Sequence, residues 1–155
     1  MNNLDLKLFE QIMNIPSPTG YTNNAISFLE SYISNLGYKT SRNKKGNLIV
    51  EVNGKSNYTT AFSAHVDTLG LMVRSIRGDG HLSFTVLGGP ILATYDGEYC
   101  KIHTRDGKTY TGTILSTSPS THVYPDASSK TRNADNMYVR IDELVYSKAD
   151  TIKLG

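Results

Sequence analysis

The sequence predicts an α/β chain built in two parts: two helices on a short sheet up to residue 70, then a small all-β unit. Three observations carry this. Apolar residues recur at helical spacing only in the first forty positions. Beyond residue 70 that pattern gives way to short apolar runs at regular intervals, separated by turn residues. The composition, with 10 Tyr, many Thr and Ser and only 19% charged residues, leans toward β structure.

The elements follow in order. Leu4, Leu8, Phe9, Ile12 and Met13 mark a first helix. Ile15-Pro16-Ser17-Pro18-Thr19-Gly20 breaks it, because two prolines and a glycine cannot continue a helix. Thr22 or Asn23 caps a second helix, whose stripe is Ala25, Ile26, Phe28, Leu29, Tyr32, Ile33 and Leu36. Gly37 suits a left-handed C-terminal position. Residues 38–42 and 47–52 read as strands joined by an Asn43-Lys44-Lys45-Gly46 turn, and Asn53-Gly54 is a further turn signal. The β-formers and small residues of 58–64 predict a strand buried on both faces, leading into His65-Val66-Asp67.

In the second part, strands are expected over 71–76, 81–87, 98–104 and 110–116. Gly78-Asp79-Gly80, Gly88-Gly89-Pro90 and Asp106-Gly107 separate them, which suggests a small barrel or sandwich. Residues 117–136, rich in Ser, Thr, Pro and Asn, read as an exposed loop. Residues 138–141 form another strand, and 152–154 begin a further one. The boundary falls near residue 70, giving units of 1–70 and 71–155.

Composition excludes several function classes. No stretch approaches the ~20 apolar residues that span a bilayer. The N-terminus lacks a basic region followed by an apolar one, so no secretory signal is expected. One cysteine, Cys100, forms no internal disulfide and fits a reducing, cytoplasmic setting. With 16 Lys+Arg against 14 Asp+Glu and no basic run, nothing favours nucleic acid.

His65-Val66-Asp67 is the candidate site. On a strand, residues i and i+2 share a face, so His65 could bind a metal while Asp67 steadies its imidazole. The bland alternative is a part-buried histidine bonded to a strand-end aspartate. His81 and His103 read as rim or surface positions, and His122 as a structural loop residue. Asp142 and Glu143 form a possible glycosidase carboxylate pair. Adjacent strand residues point to opposite faces, however, and that mechanism needs both flanking one bond. Cys100 reads as a small buried hydrophobe rather than a nucleophile.

The run Ala61-Phe62-Ser63-Ala64-His65-Val66-Asp67-Thr68-Leu69-Gly70 resembles the metal-binding strand of the M42 family of metallo-aminopeptidases. This is the glutamyl aminopeptidase-like group, which also carries a historical endoglucanase label. Other marks resemble the family in order: Ile15 to Gly20, Lys45-Gly46-Asn47-Leu48-Ile49, Gly78-Asp79-Gly80, Gly88-Gly89, Gly112-Thr113-Ile114, Pro119-Ser120-Thr121-His122 and Val139-Arg140-Ile141-Asp142. The resemblance implies residues 1–70 as part of an α/β catalytic domain and 71–155 as a barrel-like dimerisation domain inserted into it. It implies two divalent ions, zinc or cobalt, and peptide substrates with a free N-terminus. It also implies a dimer that builds into an assembly of up to twelve subunits. His65 matches a metal ligand and Asp67 the carboxylate that orients it.

The chain departs from the family pattern at Thr68 and Thr22, where many members have Glu and an acidic residue, and at Asn43, where an Asp is common. The family's bridging Asp, general-base Glu, other carboxylate ligands and second ligating His lie beyond Gly155. The expectation is therefore the N-terminal portion of an aminopeptidase, inactive alone, without retained metals and prone to self-association. A non-catalytic self-association or binding module is the second reading, and an endoglucanase-type hydrolase the third.

Overall fold

The first apolar stripe winds into helix α1, Asn3–Met13. In this computed structural model residues 3–155 are described, with side chains from Leu6 onward. Met1, Asn2 and the side chain of Leu4 lie outside the described residues. The chain divides into two compact units, Met1–Leu69 and Gly70–Gly155.

In the first unit, helix α2 spans Asn23–Asn35. Thr22 occupies the N-cap position, but its side chain makes no capping bond. The C-terminus closes as a Schellman motif. Gly37 N–H donates to Ser34 O at 2.9 Å and Tyr38 N–H to Ile33 O at 3.4 Å. Gly37 sits at φ +87°, a conformation that disfavours a β-carbon. Strands β1, Lys39–Arg42, and β2, Leu48–Glu51, pair antiparallel. Their turn is held by Asn43, whose Oδ1 accepts from the N–H of Lys45 at 2.9 Å and of Asn47 at 3.0 Å. The hairpin is tied to α2 by Arg42, which donates to Glu30 Oε2 and to Ser27 Oγ.

The predicted double-buried strand over 58–64 does not form. This stretch joins no ladder, and it is exposed: Phe62 is 96% accessible. A strand exists only through a ladder, and no strand among the described residues lies alongside it. Its β-forming residues alone give it neither a partner nor burial. For the same reason Asn53-Gly54 makes no hairpin, since the segment after it offers no strand to pair with β2.

The second unit is a curled five-stranded antiparallel sheet in the order β3-β4-β7-β6-β5. The strands are β3 Gly70–Ile76, β4 Leu82–Leu87, β5 Tyr99–His103, β6 Thr109–Ser116 and β7 Met137–Ile141. Alternate residues of the central strands face one core: Leu82 and Phe84, Met137, Val139 and Ile141, and Ile114. Leu92, on a short 3-10 turn at Leu92–Tyr95, completes it. Fully burying such side chains is worth about 1.5–3 kcal/mol each.

Two expectations are corrected here. Residues 152–154 begin no strand: α3, Lys148–Ile152, is a short helix. Ser147 caps it by accepting from Asp150 N–H and donating to Asp150 Oδ2 at 2.8 Å, a local exchange that favours a helical turn. The polar 117–136 loop is exposed for much of its length but anchored, with Ser118 and Ala127 buried. Arg132 pins it, donating to the carbonyls of Ala127 and Lys130, both at 2.8 Å, and to Asp96 Oδ2 at 3.0 Å.

Candidate functional site

The site is assembled from two stretches of the first unit, each irregular for a stated reason. Pro16 and Pro18 cannot continue a helix, so residues 15–20 link α1 and α2 irregularly and end in a turn closed by Tyr21 N–H donating to Pro18 O at 2.7 Å. Residues 65–68 lie beside them, and Pro18 and Thr68 form an isolated parallel bridge. The N–H of Thr68 donates to Ser17 O at 2.8 Å. The hydroxyl of Ser17, itself buried, donates to Val66 O at 2.7 Å.

His65 and Asp67 come together as their i, i+2 spacing predicts, although outside any strand. His65 Nδ1 lies 3.0 Å from Asp67 Oδ1 and 3.1 Å from the Asp67 carbonyl oxygen. Both oxygens can only accept when the carboxylate is ionised. The proton of the neutral ring therefore sits on Nδ1, and Nε2 presents its lone pair. The imidazole is 83% exposed, so that lone pair faces water. The other Asp67 oxygen, Oδ2, accepts from the Thr19 hydroxyl at 2.7 Å. This bond, helped by the neighbouring imidazole, holds the Asp67 carboxyl below its ordinary range against the effect of desolvation.

Among the described residues, no three His, Cys, Asp or Glu side chains are gathered closely enough to hold a metal. His65 with Asp67 behind it has the donor chemistry of one ligand position, where a catalytic zinc normally takes three protein ligands. The residues fit a single corner of a metal centre.

The remaining candidates stay apart from this pair in role. His81 is half-buried, 3.1 Å from Asp79 Oδ2 and stacked on Tyr138 at 4.6 Å between centroids. His103 bonds the Thr109 hydroxyl at 3.1 Å across the β5–β6 hairpin, and His122 is exposed. Asp142 sits 3.9 Å from the Arg140 guanidinium. The Cys100 thiol is pushed up to about 11 by burial and then by the Asp142 charge, so it is no nucleophile at neutral pH. Ser17 and Thr19 are the site residues that sequence reading missed. They counted only as part of a helix break, and nothing local pairs them with positions 48 and 49 residues away.

The family described as M42 glutamyl aminopeptidase matches residues 46–155. The Bacillus subtilis (strain 168) protein named "Putative aminopeptidase YhfE" is 44% identical over 151 residues, covering 97% of this chain and 44% of that protein. The chain thus spans less than half the length of this curated relative. The fold is shared with the TET aminopeptidase of the marine sediment archaeon Thaumarchaeota archaeon SCGC AB-539-E09, with TM-score 0.87 and 22% identity over 99% of this chain and 42% of the other. It is shared too with the Pyrococcus horikoshii TET1 peptidase, with TM-score 0.81 and 24% identity over 97% and 43%. With the larger part of its length matched to one family and its fold found in two archaeal peptidases, this chain belongs to the M42 glutamyl aminopeptidase family.

Proposed function

We propose that this chain supplies the first metal ligand, His65, and its orienting carboxylate, Asp67, to an aminopeptidase that acts on peptides with a free N-terminus. One observation carries the reading: Nδ1 of His65 is committed to Asp67 while Nε2 faces water, the arrangement of a metal-ligating histidine. Family membership supports the reaction class. When bound, a pair of divalent ions, zinc or cobalt, supplies Lewis acidity toward the peptide carbonyl and toward water. The residues of this chain hold and orient. Asp67 keeps the ring in one tautomer, and Ser17 fixes the backbone on either side of Asp67. The first unit serves as part of the catalytic domain and the second as the dimerisation domain. A cytoplasmic location agrees with the single free cysteine.

The test is hydrolysis of aminoacyl chromogenic substrates, read together with the intact mass of the native protein. The 155-residue chain alone is expected to be inactive, because one ligand and no positioned general base cannot complete the chemistry. Metal-dependent turnover by the pure 155-residue chain overturns this. In a native protein of greater mass, His65→Ala is expected to abolish turnover, and Asp67→Ala to reduce it about 10–100-fold. Unchanged turnover in His65→Ala refutes the ligand assignment.

The second reading, a self-association module, is favoured by a specific feature. Tyr58 and Phe62 stand 89% and 96% exposed in the first unit, more apolar surface than an isolated unit usually leaves to water. The P. horikoshii TET1 structure is described as assembling into a tetrahedron or a large octahedral shell. Light scattering is expected to give a mass above the 17.1 kDa of one chain. A monodisperse monomer counts against it.

A further inference from the structure

The hydrogen bonds around Asp67 are of two kinds. Ser17 grips backbone: its carbonyl accepts from Thr68 N–H, and its hydroxyl donates to Val66 O. Neither bond involves the Asp67 side chain. Thr19 grips the side chain, donating from Oγ1 to Oδ2 at 2.7 Å, while Oδ1 faces His65 Nδ1 at 3.0 Å. The two oxygens of one carboxylate are thereby given separate duties.

That division matters because the carboxylate torsion is soft and roughly two-fold. A carboxylate held at one oxygen swings about that bond, whereas one held at both has its plane fixed. The His65 ring cannot supply the missing restraint, because with 83% of its side chain exposed it has little packing of its own. Its orientation is inherited from Asp67 at two oxygens: the main-chain carbonyl at 3.1 Å, and the carboxylate, whose plane Thr19 fixes.

We propose that Thr19 is a positioning residue, whose hydroxyl fixes the Asp67 carboxylate so that His65 keeps its proton on Nδ1 and offers Nε2 to a divalent cation. The inference rests on the reading of His65 as a metal ligand. It adds a residue from a segment 48 positions away, brought in by the Pro18–Thr68 bridge.

The test reads the tautomer directly, without metal or activity. Long-range nitrogen-15 spectra of the histidine side chains are recorded on the 155-residue chain, at a pH where the rings are neutral, and His65→Ala assigns the His65 signals. The wild type is expected to show the Nδ1–H form. Thr19→Val, which keeps the shape and removes the donor, is expected to move the tautomer ratio about fivefold toward Nε2–H. Thr19→Ser is expected to retain the wild-type ratio. If Thr19→Val loses the folded backbone spectrum, Thr19→Ala against Thr19→Ser gives the same comparison. A donor-less variant with the wild-type ratio overturns the proposal. Zinc titration of the wild type tests the underlying reading separately: His65 Nε2 should shift before that of the exposed His122. If His65 responds no sooner, the ligand reading fails, whatever the Thr19 variants do.

Discussion

The two units use similar residues to different ends. In the second, Leu82, Phe84, Ile114, Met137, Val139 and Ile141 meet in one core, because five strands give each inward side chain neighbours on both sides. In the first, Ala25 is the buried hydrophobic residue among those described, and the rest of the α2 stripe is half-buried at best. The same residue type marks the contrast: Phe84 is 1% exposed and Phe62 96%. Both stand in runs that favour strands. One has a ladder on each side and the other has none, so apolar pattern yields burial only where partners exist. The first unit holds the His65–Asp67 pair and the second holds the packed core.

That contrast can be broken by experiment, most sharply at the two phenylalanines. Phe84→Ala should cost about 3–5 kcal/mol in denaturant unfolding, whereas Phe62→Ala should stay within about 0.5 kcal/mol. Equal losses would show that the first unit has a core of its own. Cys100 reports how well the second unit excludes water. Its thiol loses its proton at about 11 rather than the ordinary 9.0, so alkylation at pH 8 should be about a hundredfold slower than in the denatured chain. The unfolded thiol ionises first, so stability from this group falls as pH rises from 9.0 toward 11.

Gly112 tests the packing of β6 on β7. A β-carbon there would lie 2.6 Å from the Arg140 carbonyl oxygen, so Gly112→Ala should cost about 1–3 kcal/mol and lower the melting temperature. The smallest effect is expected at the β5–β6 turn. Asp106 is held down to about 2, first by its bond with Lys108 and then by that with the Thr104 hydroxyl. Its contribution is present above the ordinary value of 3.8 and is lost as pH falls through about 2. Amide shifts of Gly107 and Lys108 should follow that window in acid titration, with little change in global stability, because the pair is solvent-screened.

Much of the fold was legible because it is local. The Asn43 to Gly46 turn, Gly37 at the end of α2 and the alternation in β4 and β7 each depend on residues within a few positions of one another. His65 with Asp67 was legible for the same reason, since the two are only two positions apart. The Ser147–Asp150 cap was equally local, yet the apolar residues 152 and 154 suggested a strand and obscured it. Burial of 58–64 was not legible, because β-forming residues do not reveal whether a neighbouring strand is there to receive them.

By itself the sequence determined the local periods, most of the turns, the approximate extent of most strands and the histidine–aspartate pair. Tertiary structure decided which apolar runs are buried, which strand neighbours which, and that Ser17 and Thr19 reach across to Val66, Thr68 and Asp67. The reason is physical: torsional preference and short-range hydrogen bonding act between neighbours in the chain. Burial and long-range bonds depend on what the rest of the chain brings alongside.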